Sequence, residues 1–237
     1  MFPLRDNIPS QRYPVITVAI IILNVIMFLQ ELRLGERLSE VLLLWGIVPI
    51  RYTAPKVSAL FTWQEQLRPF IASMFLHGGW MHLLGNMWSL WIFGDNVEDR
   101  LGRLRFICLY LIGGVAAGLV HIYTNVSSAV PTIGASGAIA AVMGAYFRLY
   151  PHARVQMLIP PFFLGPYFVV PAVLFLGWWF ILQFFNGTMG LLSDPRQGGG
   201  IAWWAHVGGF VVGALLCSII KVKHFYRLHH EDEEEWP

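Results

Sequence analysis

Long apolar stretches constrain this chain more than any other feature of its sequence. Of its 237 residues, 56% are hydrophobic and 13% are charged, whereas about 25% of the residues in ordinary soluble domains are charged. A core of this size cannot hide so much apolar surface, so lipid must solvate part of it. Six stretches are predominantly apolar: 15–29, 81–93, 104–123, 133–149, 162–185 and 201–220. They predict an all-α polytopic membrane protein, a single domain over residues 1–237 with six transmembrane helices.

The positions of Lys and Arg predict how these helices are oriented. With six spans both ends share one side, and that side collects most of the positive charge: Arg5, Arg12, Arg100, Arg103, Arg105, Arg148, Arg154, Lys221, Lys223 and Arg227. Positive charge concentrates on the cytoplasmic side. We therefore expect 1–12 and 221–237 to be cytoplasmic. We expect the long first loop, 31–76, to lie outside and on or partly in the membrane interface. The compact form without added domains favours a bacterial or archaeal cell membrane.

Polar side chains inside the apolar stretches are costly and indicate function. Among the polar side chains in these stretches, the four of interest are His82 and Asn86 in the second stretch, Ser136 in the fourth and His206 in the sixth. A helical rise of about 1.5 Å per residue places Ser136, His206 and His82 about 18, 22 and 20 Å above the cytoplasmic edge. In a hydrocarbon core about 30 Å thick, this common layer lies about 10 Å below the outer surface. The sequence therefore predicts one shared polar site.

Ser136 has the surroundings of a nucleophile. It lies in the motif GASG at 134–137, whose glycines allow a tight loop and a close approach of the backbone to a substrate. At the start of a helix, a serine lies beside free backbone N–H groups, which can stabilise an oxyanion. The alternative is that Ser136 only caps the fourth helix.

His206 is the candidate base, because histidine titrates in the range that a serine nucleophile needs. The glycines at 209 and 213 form a smooth helix face, which lets another helix come close. The fourth helix has its own small-residue stripe at 137, 141 and 145. Contact between these faces would bring Ser136 and His206 within hydrogen-bond reach. The alternative is a packing motif that contains a buried histidine.

His82 and Asn86 are four residues apart, so they share one helical face. Both side chains can donate hydrogen bonds to an oxyanion; the alternative is that they join helices together. His77 lies off that face. No Asp or Glu lies in an apolar stretch, so the sequence predicts a Ser–His dyad rather than a triad. The HExxH pattern of zinc proteases is absent, so we expect no metal site.

Three motifs follow one another on the second, fourth and sixth stretches: HLLGN at 82–86, GASG at 134–137 and AHxxGxxxG at 205–213. Together with the six helices and the long first loop, this ordered set resembles the rhomboid family of intramembrane serine proteases over nearly the whole chain. The resemblance implies a rhomboid-like bundle in which Ser136 is the nucleophile, His206 the base, and His82 and Asn86 the oxyanion donors. It also implies that the substrates are transmembrane helices of other proteins, and that no cofactor takes part.

Two positions depart from the family's pattern. Some rhomboids have a tyrosine that packs on the catalytic histidine, four residues after the nucleophile, where this chain has Ala140. We therefore expect Trp203 or Trp204 to support the His206 ring. The first loop of rhomboids often carries Trp-Arg, whereas this chain has Leu67-Arg68, so the anchoring of the loop differs from the pattern.

A substrate helix needs an entry gate between the helices. The Gly-rich segment 186–200 and the fifth helix, with Pro166 and Pro171, are the candidates for this gate. Cys108 and Cys217 lie in apolar runs and are expected to be packing residues rather than a disulfide.

Two other functions compete with proteolysis. A catalytically silent relative would bind membrane segments as a chaperone, but such proteins tend to lose the serine or the histidine. A small transporter would show inverted repeats or a charged pathway, and the sequence shows neither. The net charge of +2 is too small to indicate a nucleic-acid partner.

Overall fold

Six long helices dominate the computed structural model, which describes residues 2–158, 168–192 and 202–220. Along the chain the helices are α1 Val15–Glu31, the short helices α2 Leu38–Trp45, α3 Ile50–Thr53, α4 Pro55–Ser58 and α5 Trp63–Ala72, then α6 Trp80–Leu101, α7 Arg103–Thr124, α8 Ser136–Leu149, α9 Ala172–Leu192 and α10 Trp203–Ile219. Each long helix falls on one predicted apolar stretch. The predicted order of six helices is therefore confirmed.

The long helices differ in how far they can reach across a membrane. Within the described ranges, α7 and α9 are long and apolar enough to cross one alone, and α1 qualifies together with segment Gly35–Trp45, from which it is bent by 117°. α8 and α10 are shorter apolar helices. The 14 residues of α8 span about 21 Å, less than a hydrocarbon core of about 30 Å. A helix this short can begin inside the membrane, as expected for the helix of Ser136.

α8 lies at the centre of the bundle, and all its residues from 137 to 146 are buried. α10 packs directly on its backbone. A Cβ atom on Gly209 would overlap the carbonyl oxygen of Gly137, and one on Gly213 would overlap that of Ala141. The two small-residue faces predicted from the sequence therefore meet, and they set the distance between the serine helix and the histidine helix.

The first loop is a folded layer anchored by Arg51, which is 2% exposed. Its guanidinium donates hydrogen bonds to the carbonyl oxygens of Leu44 at 3.2 Å and Glu65 at 2.5 Å. These bonds tie α3 to α2 and α5. Arg68, the arginine of the Leu-Arg pair, instead lies over the Trp45 ring, 5.9 Å from its centroid. Arg51 is thus the anchor of the first loop, and the sequence did not predict it.

A small antiparallel sheet is the part of the fold that the sequence did not predict. Its strands are β1 Phe2–Asp6, β2 Arg154–Leu158 and β3 Phe168–Pro171, in the order β1-β2-β3. The all-α prediction holds for the bundle, whereas the N-terminal segment and the connection before α9 form this sheet. The sequence does not signal this sheet, because each strand is short and β1 pairs with β2 about 150 residues later in the chain.

The positions of the sheet and of α9 correct the prediction of which residues form the loop and the helix of the gate. Pro171 ends β3, so it is not part of the fifth helix, which begins only at Ala172. The first seven residues of the predicted loop 186–200 continue α9 up to Leu192, because glycines are tolerated in membrane helices. Pro166 and residues 193–200 lie outside the described residues.

Carboxylates dock the N-terminal segment on α6. Glu98 accepts the backbone N–H groups of Ile16 at 3.0 Å and Thr17 at 2.8 Å. It thereby compensates the free donors and the positive end of α1. Asp6 in β1 accepts a hydrogen bond from Asn96 at 2.8 Å. These contacts hold one end of α1 against α6.

Candidate active site

Ser136 and His206 form a hydrogen-bonded pair. Ser136 is the first residue of α8 and His206 lies in the first turn of α10. His206 Nε2 is 2.8 Å from Ser136 Oγ. Both side chains are half-buried, so the pair is partly accessible rather than enclosed in the core. The close approach of two predicted residues, which are 70 positions apart, is confirmed.

The backbone before Ser136 is fixed by the first loop. Thr132 and Ile47 exchange two backbone hydrogen bonds, at 2.8 and 3.0 Å, in an isolated antiparallel bridge. The Gly134 N–H donates to the carbonyl oxygen of Ser73 at 2.8 Å. Gly134 has φ +117°, a conformation that favours glycine. These contacts place the start of α8, where helical N–H groups have no partner within the helix.

His82 directs one ring nitrogen towards this turn. Its Nδ1 accepts the Gly78 N–H at 3.4 Å, so in the neutral ring Nε2 carries the proton. Nε2 lies against Gly134, where a Cβ atom would be 2.6 Å from it. The predicted oxyanion donor is therefore beside the serine turn, and its N–H points there.

Asn86 lies next to His82 on the same side of α6. A Cβ atom on Gly134 would be 3.6 Å from Asn86 Nδ2, so both predicted donors approach the same turn. Asn86 Nδ2 also lies 2.9 Å from His77 Nε2. His77 is 1% exposed, and its backbone N–H donates to the Glu31 carboxylate.

The contact between His77 and Asn86 was missed by sequence reasoning. His77 was placed off the face of His82 by helical spacing, but it precedes α6, which begins at Trp80. Helical spacing does not apply to a residue in the turn before the helix. Its short distance in sequence from two polar residues of the site was the available signal.

The far side of the His206 ring is held by α9. His206 Nδ1 is 2.8 Å from Gln183 Oε1. The rings of Trp179 and Trp203 approach the imidazole, with centroids at 5.8 and 6.4 Å. Of the two tryptophans expected to support the ring, Trp203 does so and Trp204 packs on Phe184 instead. Gln183 was not predicted, although it is a lone polar residue in an apolar run.

Comparison with known proteins decides the family. The family model of the Rhomboid domain matches residues 64–223, which include Ser136, His206 and both predicted oxyanion donors. The chain belongs to the rhomboid family.

Curated relatives of this rhomboid match it over part of their length. Rhomboid protein 1, mitochondrial, of Saccharomyces cerevisiae is 29% identical over 61% of this chain and 39% of its own. Presenilin-associated rhomboid-like protein A, mitochondrial, of Danio rerio is 34% identical over 39% of this chain and 25% of its own. RHOMBOID-like protein 5 of Arabidopsis thaliana is 39% identical over 32% and 24%. The matches thus span less than half of each relative. All three relatives are eukaryotic and two are named mitochondrial, which is at odds with the expected bacterial or archaeal membrane.

The site of this rhomboid combines three kinds of functional group. A hydroxyl faces a ring nitrogen that can accept its proton, and two side-chain donors lie beside the serine turn. Within residues 2–158, 168–192 and 202–220, no three His, Cys, Asp or Glu side chains are grouped so that they would hold a metal ion. Cys217 is buried as expected of a packing residue, whereas Cys108 is exposed on α7. The arrangement is suited to acyl transfer through a serine ester.

Proposed function

We propose that this rhomboid is an intramembrane serine endopeptidase that cleaves transmembrane segments of other membrane proteins. The observation that carries the proposal is the 2.8 Å contact between Ser136 Oγ and His206 Nε2. A serine hydroxyl is a weak nucleophile unless a base is within hydrogen-bond reach. Here the base is in reach, and the donors for the developing negative charge lie on the adjacent helix.

The reaction has two halves, the acylation of Ser136 and the hydrolysis of the acyl group, and His206 transfers a proton in each. Ser136 Oγ attacks the carbonyl carbon of the scissile bond while His206 Nε2 takes its proton. The oxyanion accepts hydrogen bonds from His82 Nε2–H, from the Asn86 amide and from the Ser136 backbone N–H. His206 then protonates the leaving amine, and a water molecule, deprotonated by His206, releases the acyl group from Ser136.

The substrate is a helix that crosses the same bilayer. Its peptide groups are bonded within the helix, so it must unwind locally before Ser136 can reach a carbonyl carbon. Glycine or proline near the cut lowers the cost of unwinding, because both residues disfavour a helix. Ser136 and His206 are half-buried, so both side chains stay partly accessible to the unwound segment and to the hydrolytic water.

The direct test is cleavage of a model transmembrane substrate in liposomes. We expect Ser136→Ala and His206→Ala each to lower kcat at least 10³-fold, since removal of a nucleophile or base leaves only the contribution of binding and the oxyanion donors. Ser89→Ala is the matched control. Ser89 lies on α6 and bonds to a carbonyl oxygen of its own helix, so its loss leaves kcat unchanged.

Cleavage that is equal in wild type and Ser136→Ala would end the protease assignment. In that case the alternative is a silent rhomboid-like protein that binds transmembrane segments as a chaperone. Such a protein does not need the contact between Ser136 and His206.

A further inference from the structure

Gln183 lies on the side of the His206 ring that is opposite to Ser136. Its Oε1 is 2.8 Å from His206 Nδ1, while His206 Nε2 is 2.8 Å from Ser136 Oγ. We propose that Gln183 is a positioning residue that fixes the tautomer and the orientation of His206 for the reaction. This inference rests on the proposed function and extends the predicted dyad to a row of three side chains from α8, α10 and α9.

The chemistry follows from the proton count of a neutral imidazole. Such a ring carries one N–H, and the other nitrogen has a lone pair. The amide oxygen of Gln183 is an acceptor, so it binds the ring when the proton is on Nδ1. The lone pair is then on Nε2, where it faces the Ser136 hydroxyl. In the opposite tautomer Nε2 already carries a proton and cannot take the one from serine.

The packing of α9 on α10 keeps Gln183 in this position. Trp179, Phe180, Gln183 and Gly187 share one face of α9, because they are spaced by one, three and four residues. This face meets α10: Phe180 packs on Phe210 with ring centroids 5.0 Å apart, and a Cβ atom on Gly187 would touch the Trp204 ring at 3.0 Å. Gln183 is 6% exposed, so little water competes for its hydrogen bond with His206.

A neutral amide is suited to this place. A carboxylate would give the imidazolium a counter-charge, but an ionised side chain is costly within a bilayer. Gln183 orients the ring without that cost. It follows that the exchange of this amide for a carboxylate changes how the site responds to pH, whereas a residue that serves only packing would not have this effect.

The test compares Gln183→Leu and Gln183→Glu in the liposome assay. Gln183→Leu keeps an apolar side chain of similar size and removes the acceptor. We expect kcat to fall about 10²-fold with KM and the thermal midpoint unchanged, since loss of the group that fixes the tautomer lowers kcat by up to about 10⁴-fold when that group is a carboxylate.

Gln183→Glu restores an acceptor. We expect it to be more active than Gln183→Leu and to move the acid limb of the pH profile of kcat/KM to higher pH, because the carboxylate favours the protonated ring. Two other titratable side chains, those of His82 and His121, act on His206. Both are the same in each variant.

Gln30→Leu is the matched control. Gln30 is exposed on α1, so the same exchange there leaves kcat and the pH profile unchanged. Wild-type kcat in Gln183→Leu, or a Gln183→Glu variant no more active than Gln183→Leu, would overturn the inference.

A second measurement reads the tautomer without a substrate. In ¹⁵N-histidine-labelled protein in lipid, NMR distinguishes a protonated ring nitrogen from one with a lone pair, and His206 is assigned by the signal lost in His206→Ala. We expect Nδ1–H in the wild type and a mixture of tautomers in Gln183→Leu. A wild-type ring protonated at Nε2 overturns the role of Gln183, even if the protein cleaves. The expected tautomers in a protein that cleaves nothing would support Gln183 and contradict the protease proposal.

Discussion

At the scale of single residues, the geometry of position 134 explains why a glycine precedes Ser136 in the turn. Its φ of +117° is costly for a residue with a side chain. A Cβ atom there would lie 2.6 Å from His82 Nε2, which is less than a van der Waals contact. Glycine thus allows both the turn before Ser136 and the approach of the oxyanion donor.

We predict that Gly134→Ala lowers kcat about 10²-fold, because the Cβ atom displaces His82 from the turn and removal of one oxyanion donor has an effect of this size. The backbone strain lowers the free energy of unfolding by about 1–3 kcal/mol. Cleavage rates and thermal unfolding in detergent measure the two effects. Gly85→Ala is the control: a Cβ atom on Gly85 meets nothing within 4 Å. Full activity of Gly134→Ala would show that His82 is not confined by this turn.

At the scale of elements, the contact between α8 and α10 determines whether the serine and the histidine meet. The first residue of α8 carries the hydroxyl, and the first turn of α10 carries the imidazole. The contact is made by backbone against glycine at 209 and 213. Any side chain at either position must push the two helices apart.

Gly213→Ala is therefore predicted to reduce stability and activity together. Overpacking of this kind costs about 1–3 kcal/mol, and the displacement of α10 lengthens the distance from His206 to Ser136. The same exchange at Gly190 on α9, where a Cβ atom meets nothing within 4 Å, is expected to be neutral. Unfolding temperatures and cleavage rates of both variants decide between these outcomes. An unchanged Gly213→Ala variant would contradict the account of the helix contact.

The sequence predicted these elements well where the signal was local. Ser136, His206, His82 and Asn86 each lie in a short motif within an apolar stretch, so the helices that carry them followed from the sequence. Gln183 did not stand out, because its role depends on which face of α9 meets α10. That register is set by packing between helices rather than by a pattern in one of them.

At the scale of the whole molecule, the contacts that close the fold join distant parts of the chain. β1 pairs with β2 about 150 residues later, and Arg51 joins three helices of the first loop. Neither contact has a periodic signal in the sequence. The bundle was predictable because lipid imposes the same apolar pattern on each helix, whereas the sheet and the anchored loop depend on individual pairings.

Asp6 gives this long-range docking a dependence on pH. It lies in β1, outside the long helices, and burial raises its pKa to about 7, an effect that the hydrogen bond from Tyr146 opposes. Its ordinary value is 3.8, so the folded protein holds this proton more tightly than the unfolded chain. The contribution to stability is complete below pH 4 and is lost as the pH rises to about 7.

We therefore expect the thermal midpoint of the wild type to fall between pH 5 and pH 8 by more than that of Asp6→Asn, which cannot ionise at this position. Thermal unfolding of both proteins in the same detergent gives the difference. An identical pH dependence in the two proteins would show that the docking of β1 does not involve the protonated carboxyl group.

Activation of Ser136 by His206 is measured most directly by the reaction of the purified protein with a fluorophosphonate, followed by mass spectrometry of its peptides. A serine that is activated by a neighbouring imidazole forms a covalent adduct. We predict one adduct, at Ser136, in the wild type, and a strong loss of that adduct in His206→Ala while the protein remains folded. Equal labelling of Ser136 with and without His206, or no labelling of Ser136 at all, would contradict the account.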